Sequence, residues 1–66
     1  MVPTAQDIIR ACRFESGMTL AELAEKTDHD IATIHSWESG KRDPRFNSAI
    51  EAIYVMGYEI SVHKRG

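Results

Sequence analysis

The chain has 66 residues, 42% of them hydrophobic and 27% charged, with eight Lys and Arg against ten Asp and Glu for a net charge of −2. Such a length makes one domain, too small to enclose a substrate pocket as well as a core, so an enzyme is not expected. No apolar run approaches the ~20 residues that cross a bilayer, and the single cysteine, Cys12, cannot close an internal disulfide.

The amino-terminal stretch MVPTAQD has neither a basic n-region nor an apolar h-region, so no secretory signal is read and a cytoplasmic location is expected. The lone Cys12 agrees with a reducing compartment and reads as a small buried residue. Thr4 caps a first helix after Pro3, with Asp7 in its first turn. Ile8, Ile9 and Cys12 give that helix an inner face before Ser16 and Gly17 stop it, and Phe14 and Met18 close the corner toward the next.

Thr19 followed three residues later by Glu22 is a capping box, in which each side chain satisfies an orphan amide at a helix start. A second helix therefore begins near Leu20, carries Leu23, Ala24 and Thr27 inward, and runs out at Asp28, a residue that tolerates a left-handed turn. Asp30 is a suitable N-cap for a third helix, on which Ile34 and Trp37 share a side and which Gly40 stops. Two short helices joined by a tight turn over residues 19–39, with the basic run Lys41, Arg42 and Arg45 behind them, form the pattern of a helix-turn-helix. That device presents its second helix to the DNA major groove. A local basic rim can hold phosphates on a chain that is acidic overall, although such a loop is also compatible with simple solvation.

A fourth helix follows Pro44, with Phe46, Ala49, Ile50, Ile53 and Met56 at three- and four-residue spacing, and ends at Gly57. The period then changes to two. Tyr58, Ile60 and Val62 alternate with Glu59, Ser61 and His63, which predicts a half-buried β-strand over 58–63. One strand alone leaves its backbone donors and acceptors unpaired, and a second copy related by a two-fold axis would pair them, making Tyr58, Ile60 and Val62 dimerisation residues. The alternative is a tail packed on its own domain.

The run Thr19, Glu22, Leu23, Ala24, Ile34, Trp37, Glu38, Gly40, Lys41 and Pro44 resembles the DNA-binding domain of phage repressor and Cro proteins, the XRE-type regulators. The likeness reaches back to Arg13 and Gly17 and forward to Met56 and Gly57. It implies an all-α, four-helix lambda-repressor-like domain, to which the chain adds a short C-terminal strand like the one that dimerises helix-turn-helix antitoxins. It also implies an ion pair between Arg13 and Glu38 that ties the first helix to the third, and a buried Trp37.

On the third helix, the core side set by Ile34, Trp37 and Glu38 leaves Ala32, Ser36 and Ser39 opposite, with Thr33 and His35 beside them and Ile31 at the exposed first turn. Ile31, Ala32, His35 and Ser36 are the candidate base readers. In the family, the positions of Ile31, Ala32 and Ser36 commonly carry stronger donors, so this code is short of bidentate contacts. Ala and Ile can only touch thymine methyls, whereas His35 can donate to guanine. A lone surface His is equally compatible with simple solvation. Thr19, Leu20, Thr33, Ser39, Lys41, Arg42 and Arg45 are the candidate phosphate contacts, Thr19 and the Leu20 amide because a helix N-terminus attracts anions. Leu20 stands where relatives often carry Gln. Asp28 and Asp30 oppose binding unless they serve the helix ends.

His29, His35, His63 and Cys12 lack metal-ligand spacing, and neither a Gly-rich phosphate loop nor a nucleophile elbow is present, so no metal, cofactor or catalytic residue is expected. The reading is a sequence-specific regulator of double-stranded DNA, a homodimer on a palindrome with half-sites ~34 Å apart. With no room for a separate effector domain it would repress by occluding a promoter. The other reading is an antitoxin or adaptor subunit whose main task is to hold a toxin or another protein partner. No membrane partner is expected.

Overall fold

In a computed structural model describing residues 3–66, the chain folds into α1 (Ala5–Ser16), α2 (Leu20–Thr27), α3 (Ile31–Glu38) and α4 (Phe46–Val55). Met1 and Val2, part of the stretch read for a secretory signal, lie outside the described residues.

Each of the first three helices starts where a side chain takes up a free amide. The Thr4 hydroxyl accepts from the Asp7 amide at 3.2 Å. Thr19 and Glu22 form a reciprocal capping box: the Glu22 amide donates to the Thr19 hydroxyl at 3.1 Å and the Thr19 amide donates to Glu22 Oε1 at 3.0 Å. The Thr33 amide donates to Asp30 Oδ1 at 2.7 Å. Arg45 occupies the N-cap of α4 without a side-chain capping bond.

The ends are equally local. Gly17 (φ 74°), Asp28 (φ 63°) and Gly57 (φ 96°) all adopt the left-handed conformation, and in each case the following amide reaches back to a carbonyl five residues earlier. Met18 thus bonds Arg13, His29 bonds Ala24, and Tyr58 bonds Ile53, each at 3.2 Å. Asp28, whose place in the turn was its only rationale in the sequence, is the C-terminal stop of α2.

α1 and α2 each pack on both α3 and α4. Their shared core is Ile9, Leu23, Ala24, Ile34, Trp37, Ala49, Ala52, Ile53 and Met56, with Thr27 buried beside it and its hydroxyl donated to the Leu23 carbonyl at 2.8 Å. Cys12, Met18 and Leu20 are half-buried against it. Four large apolar residues counted toward inner faces or corners differ: Ile8, Phe14 and Phe46 are exposed and Ile50 is half-buried. On α4 the reason is angular. Ala49, Ala52, Ile53 and Met56 cluster on one side, so Phe46, Ile50 and Tyr54, spaced by four, lie roughly 60–140° round the helix and form a second apolar stripe.

The strand expected over 58–63 does not form in the single chain, since a ladder needs a second strand and the described residues contain none. Gly57 reverses the backbone, and Tyr58 packs against the chain's own core. Burial, and secondarily the Glu15 carboxylate, raise the Tyr58 phenol above its ordinary pKa. Ile60 and Val62 stay exposed.

The caps predict a pH response. Glu22 lies below its ordinary carboxylate range, first because of hydrogen bonding with the Thr19 backbone and then with its side chain, and Asp30 is lowered by hydrogen bonds from the Thr33 side chain and amide. Depressed carboxylates contribute stability above their unfolded pKa and lose it as pH falls through the folded value. Melting temperature should therefore fall as pH drops through and below the ordinary carboxylate range. Thr19→Ala should lower it by roughly 4 to 8 °C at neutral pH. Glu22→Gln keeps an acceptor for the Thr19 amide but does not titrate, so it should make the remaining acid dependence shallower, and an unchanged acid limb in that variant would exclude Glu22 as a source.

Candidate nucleic-acid interface

Placement of the third helix depends first on Arg13. From α1 its Nε and Nη2 donate to Glu38 Oε2 and Oε1 at 2.6 and 2.8 Å, and Nη1 donates to the Met18 carbonyl at 3.0 Å. The two side chains are 13% and 7% exposed. Arg13 is held above its ordinary pKa by its hydrogen bond to Glu38, partly offset by its own desolvation. One guanidinium thus fixes the C-terminal end of α3 and the corner between α1 and α2.

A second clamp was not anticipated. The His29 ring, in the turn between α2 and α3, meets the buried Trp37 ring edge-on with centroids 4.9 Å apart. The turn is therefore anchored to the far end of α3. The sequence signal is faint, since an isolated turn His shows nothing of an aromatic eight residues away.

With Ile34, Trp37 and Glu38 buried, α3 exposes Ile31, Ala32, His35 and Ser39 and leaves Thr33 and Ser36 half-exposed. The loop behind it folds back, with the Arg42 amide donating to the Ser36 carbonyl at 3.1 Å. Consequently Asp30, Ala32, Thr33, Ser36, Lys41 and Arg42 line one open hollow. Two candidate base readers and three candidate phosphate contacts meet there. The Ser36 hydroxyl donates to the Thr33 carbonyl at 2.7 Å, and the Ser39 hydroxyl donates to the Ser36 carbonyl at 3.3 Å.

Ile31 lies elsewhere, in an adjoining apolar hollow lined also by Thr19, Leu20, Ala21 and Phe14. The N-termini of α2 and α3 therefore border the same depression. His35 and Arg45 are exposed but belong to the lining of neither hollow. Tyr58, Ile60 and Val62 line a third, on the α4 stripe, with Phe46, Ile50 and Tyr54. Among the described residues no cluster of His, Cys, Asp and Glu is placed to hold a metal ion, and no helix is long and apolar enough to cross a membrane.

A family model described as helix-turn-helix matches residues 9–61. No curated protein and no solved structure matches the chain. The chain belongs to the helix-turn-helix family, of the XRE type that its motifs resemble, and carries the DNA-binding domain of a transcription regulator.

Proposed function

We propose that this XRE-type helix-turn-helix protein is a sequence-specific, dimeric repressor that reads a palindromic operator in double-stranded DNA through the exposed face of α3. The observation that carries the reading is the hollow in which Ala32 and Ser36 stand between Thr33 and the cations Lys41 and Arg42. A base-contacting floor beside a phosphate-holding rim is the arrangement that docking a helix into the major groove requires. Ile31 and His35, one turn apart on α3, extend the floor along one flank. Ser39 and Arg45 extend the rim along α3 and its loop, and Thr19 with the Leu20 amide supplies a further phosphate contact at the N-terminus of α2.

Dimerisation would bring two such faces to half-sites about one helical turn apart. Support for it is the stripe of Phe46, Ile50 and Tyr54 beside Ile60 and Val62, which is apolar and open to solvent.

Selection from a random duplex pool tests the reading, with an inverted repeat as the expected product. Affinity for that repeat should fall steeply with salt, each phosphate contact adding about −0.9 to the log–log slope. Arg45→Ala should weaken all sequences alike and flatten the slope by roughly one unit per head. A slope unchanged by Arg45→Ala would place that side chain away from the DNA, and a pool without any enriched sequence would overturn the reading itself.

A further inference from the structure

Asp30 carries more than its cap. The carboxylate lines the same hollow as Ala32 and Ser36 and is fully exposed to whatever enters it. Oδ1 accepts the Thr33 amide and the carboxylate also takes up the Thr33 side chain, which together occupy two of its roughly four lone-pair sites. Ser36 has one hydroxyl proton, and it goes to the Thr33 carbonyl at 2.7 Å. What Ser36 presents outward is therefore lone pairs. Ala32 contributes only a methyl. Apart from the Thr33 hydroxyl, which is engaged by Asp30, the floor of the hollow presents acceptors, while the donors Lys41 and Arg42 stand at its rim.

In the major groove the bases differ in this respect. Guanine shows two acceptors, N7 and O6, thymine shows the acceptor O4, adenine shows its N6 amino donor next to the acceptor N7, and cytosine shows the N4 amino donor. A floor made of acceptors repels guanine and thymine edges and rewards amino groups. Between the two amino-bearing bases, a carboxylate meets cytosine N4 without an adjoining lone pair, whereas adenine sets N7 against it.

We propose that Asp30 is a specificity-determining residue that selects cytosine by accepting a hydrogen bond from its N4 amino group, with Ser36 as a second acceptor on the same floor. The assignment rests on α3 being the DNA-reading helix. It also gives an acidic N-cap a role where the partner is a polyanion. A Ser or Thr would cap the helix equally well without the charge, but would offer a donor as well as an acceptor.

Asp30→Asn tests this directly in the full chain, because Asn is an equivalent N-cap whose oxygen still accepts the Thr33 amide. Its amide also provides a donor, which suits the N6/N7 pair of adenine. Wild-type and variant chains would be selected against the same random duplex pool and then measured on single-base variants of the enriched site. The expected result is a wild-type site with a required cytosine in each half, and a shift of preference from cytosine toward adenine by about tenfold at that position in Asp30→Asn. Preferences elsewhere in the site should be unaltered, and the variant should remain folded at neutral pH, with at most a small loss from the missing charge at the helix N-terminus. If Asp30→Asn raises affinity uniformly and leaves every preference in place, Asp30 is a cap and a charge only, and the assignment fails while the DNA reading stands. A wild-type chain that enriches a site lacking a discriminated cytosine overturns it as well. A wild-type chain that enriches nothing overturns the DNA reading, and the assignment with it.

Discussion

Glu38→Ala is expected to cost about 3 to 5 kcal/mol of folding stability, because it removes two of the three hydrogen bonds to the Arg13 guanidinium and leaves that charge buried beside an empty position. For a chain of this length the whole stability is roughly 3 to 10 kcal/mol, so the variant should lose about a third of it or more. The intact pair need not contribute much. Replacing both residues by leucines of matching volume should recover most of the loss, since no charge then remains to be desolvated. Ser36→Ala provides the contrast. The Ser36 hydroxyl bonds only the carbonyl of its own preceding turn, so its loss should change stability by less than about 0.5 kcal/mol, yet relax preference at one operator position. Urea unfolding and binding to single-base operator variants read both. A Glu38→Ala chain within 1 kcal/mol of wild type, or a Ser36→Ala chain that unfolds, would mean that α3 is oriented differently from the structure described here.

The helix boundaries and most of the core were legible in the sequence because they are set locally. Thr19 with Glu22, Asp30 before its helix and Gly17 or Gly57 after theirs are arrangements of neighbouring residues, and the structure forms all of them through bonds spanning three to five positions. Asp28 belongs to the same class, being the one described residue other than glycine with a positive φ. Contacts between elements were harder to read. The meeting of His29 with Trp37 depends on how tightly the turn brings α2 against α3, and no spacing rule encodes that distance. The exposure of Phe46 and Phe14 follows from which side of each helix the others cover. Apolar character alone does not assign a side when a helix has two apolar stripes, as α4 does.

The candidate interface divides along the same line. The wheel of α3 was sufficient to separate Ile34, Trp37 and Glu38 from the face carrying Ala32 and Ser36. It was not sufficient to place the loop, whose return toward α3 through the Arg42 amide brings Lys41 and Arg42 to the rim and draws Asp30 into the same hollow. The alternation after Gly57 was real as a pattern, but a strand is a property of two segments. In the single chain the left-handed Gly57 turns Tyr58 back onto its own core, and the period-two signal is left with nothing to pair against.

Removing residues 60–66 should therefore act on assembly and leave the domain folded. The truncation keeps Gly57 and Tyr58, so the end of α4 and its core contact persist, and it deletes Ile60 and Val62 from the hollow they share with Phe46, Ile50 and Tyr54. If the tails of two copies pair across that stripe, the truncated chain should be a monomer where the intact chain is a dimer, with a similar melting temperature in dilute solution. Binding to a full palindrome should weaken by about 10²–10⁴-fold, the gain that linking two heads supplies, while binding to an isolated half-site should change little. Lys64 and Arg65 are lost in the same deletion, which removes two positive charges from the chain. Ile60→Ser combined with Val62→Ser keeps both cations and should produce the same loss of dimer, since burying those two apolar side chains is what the pairing gains beyond its backbone bonds. Light scattering that finds the intact chain monomeric at micromolar concentration would sink the dimer. A serine double variant that remains dimeric would move the interface from the tail to the Phe46, Ile50 and Tyr54 stripe of α4 alone.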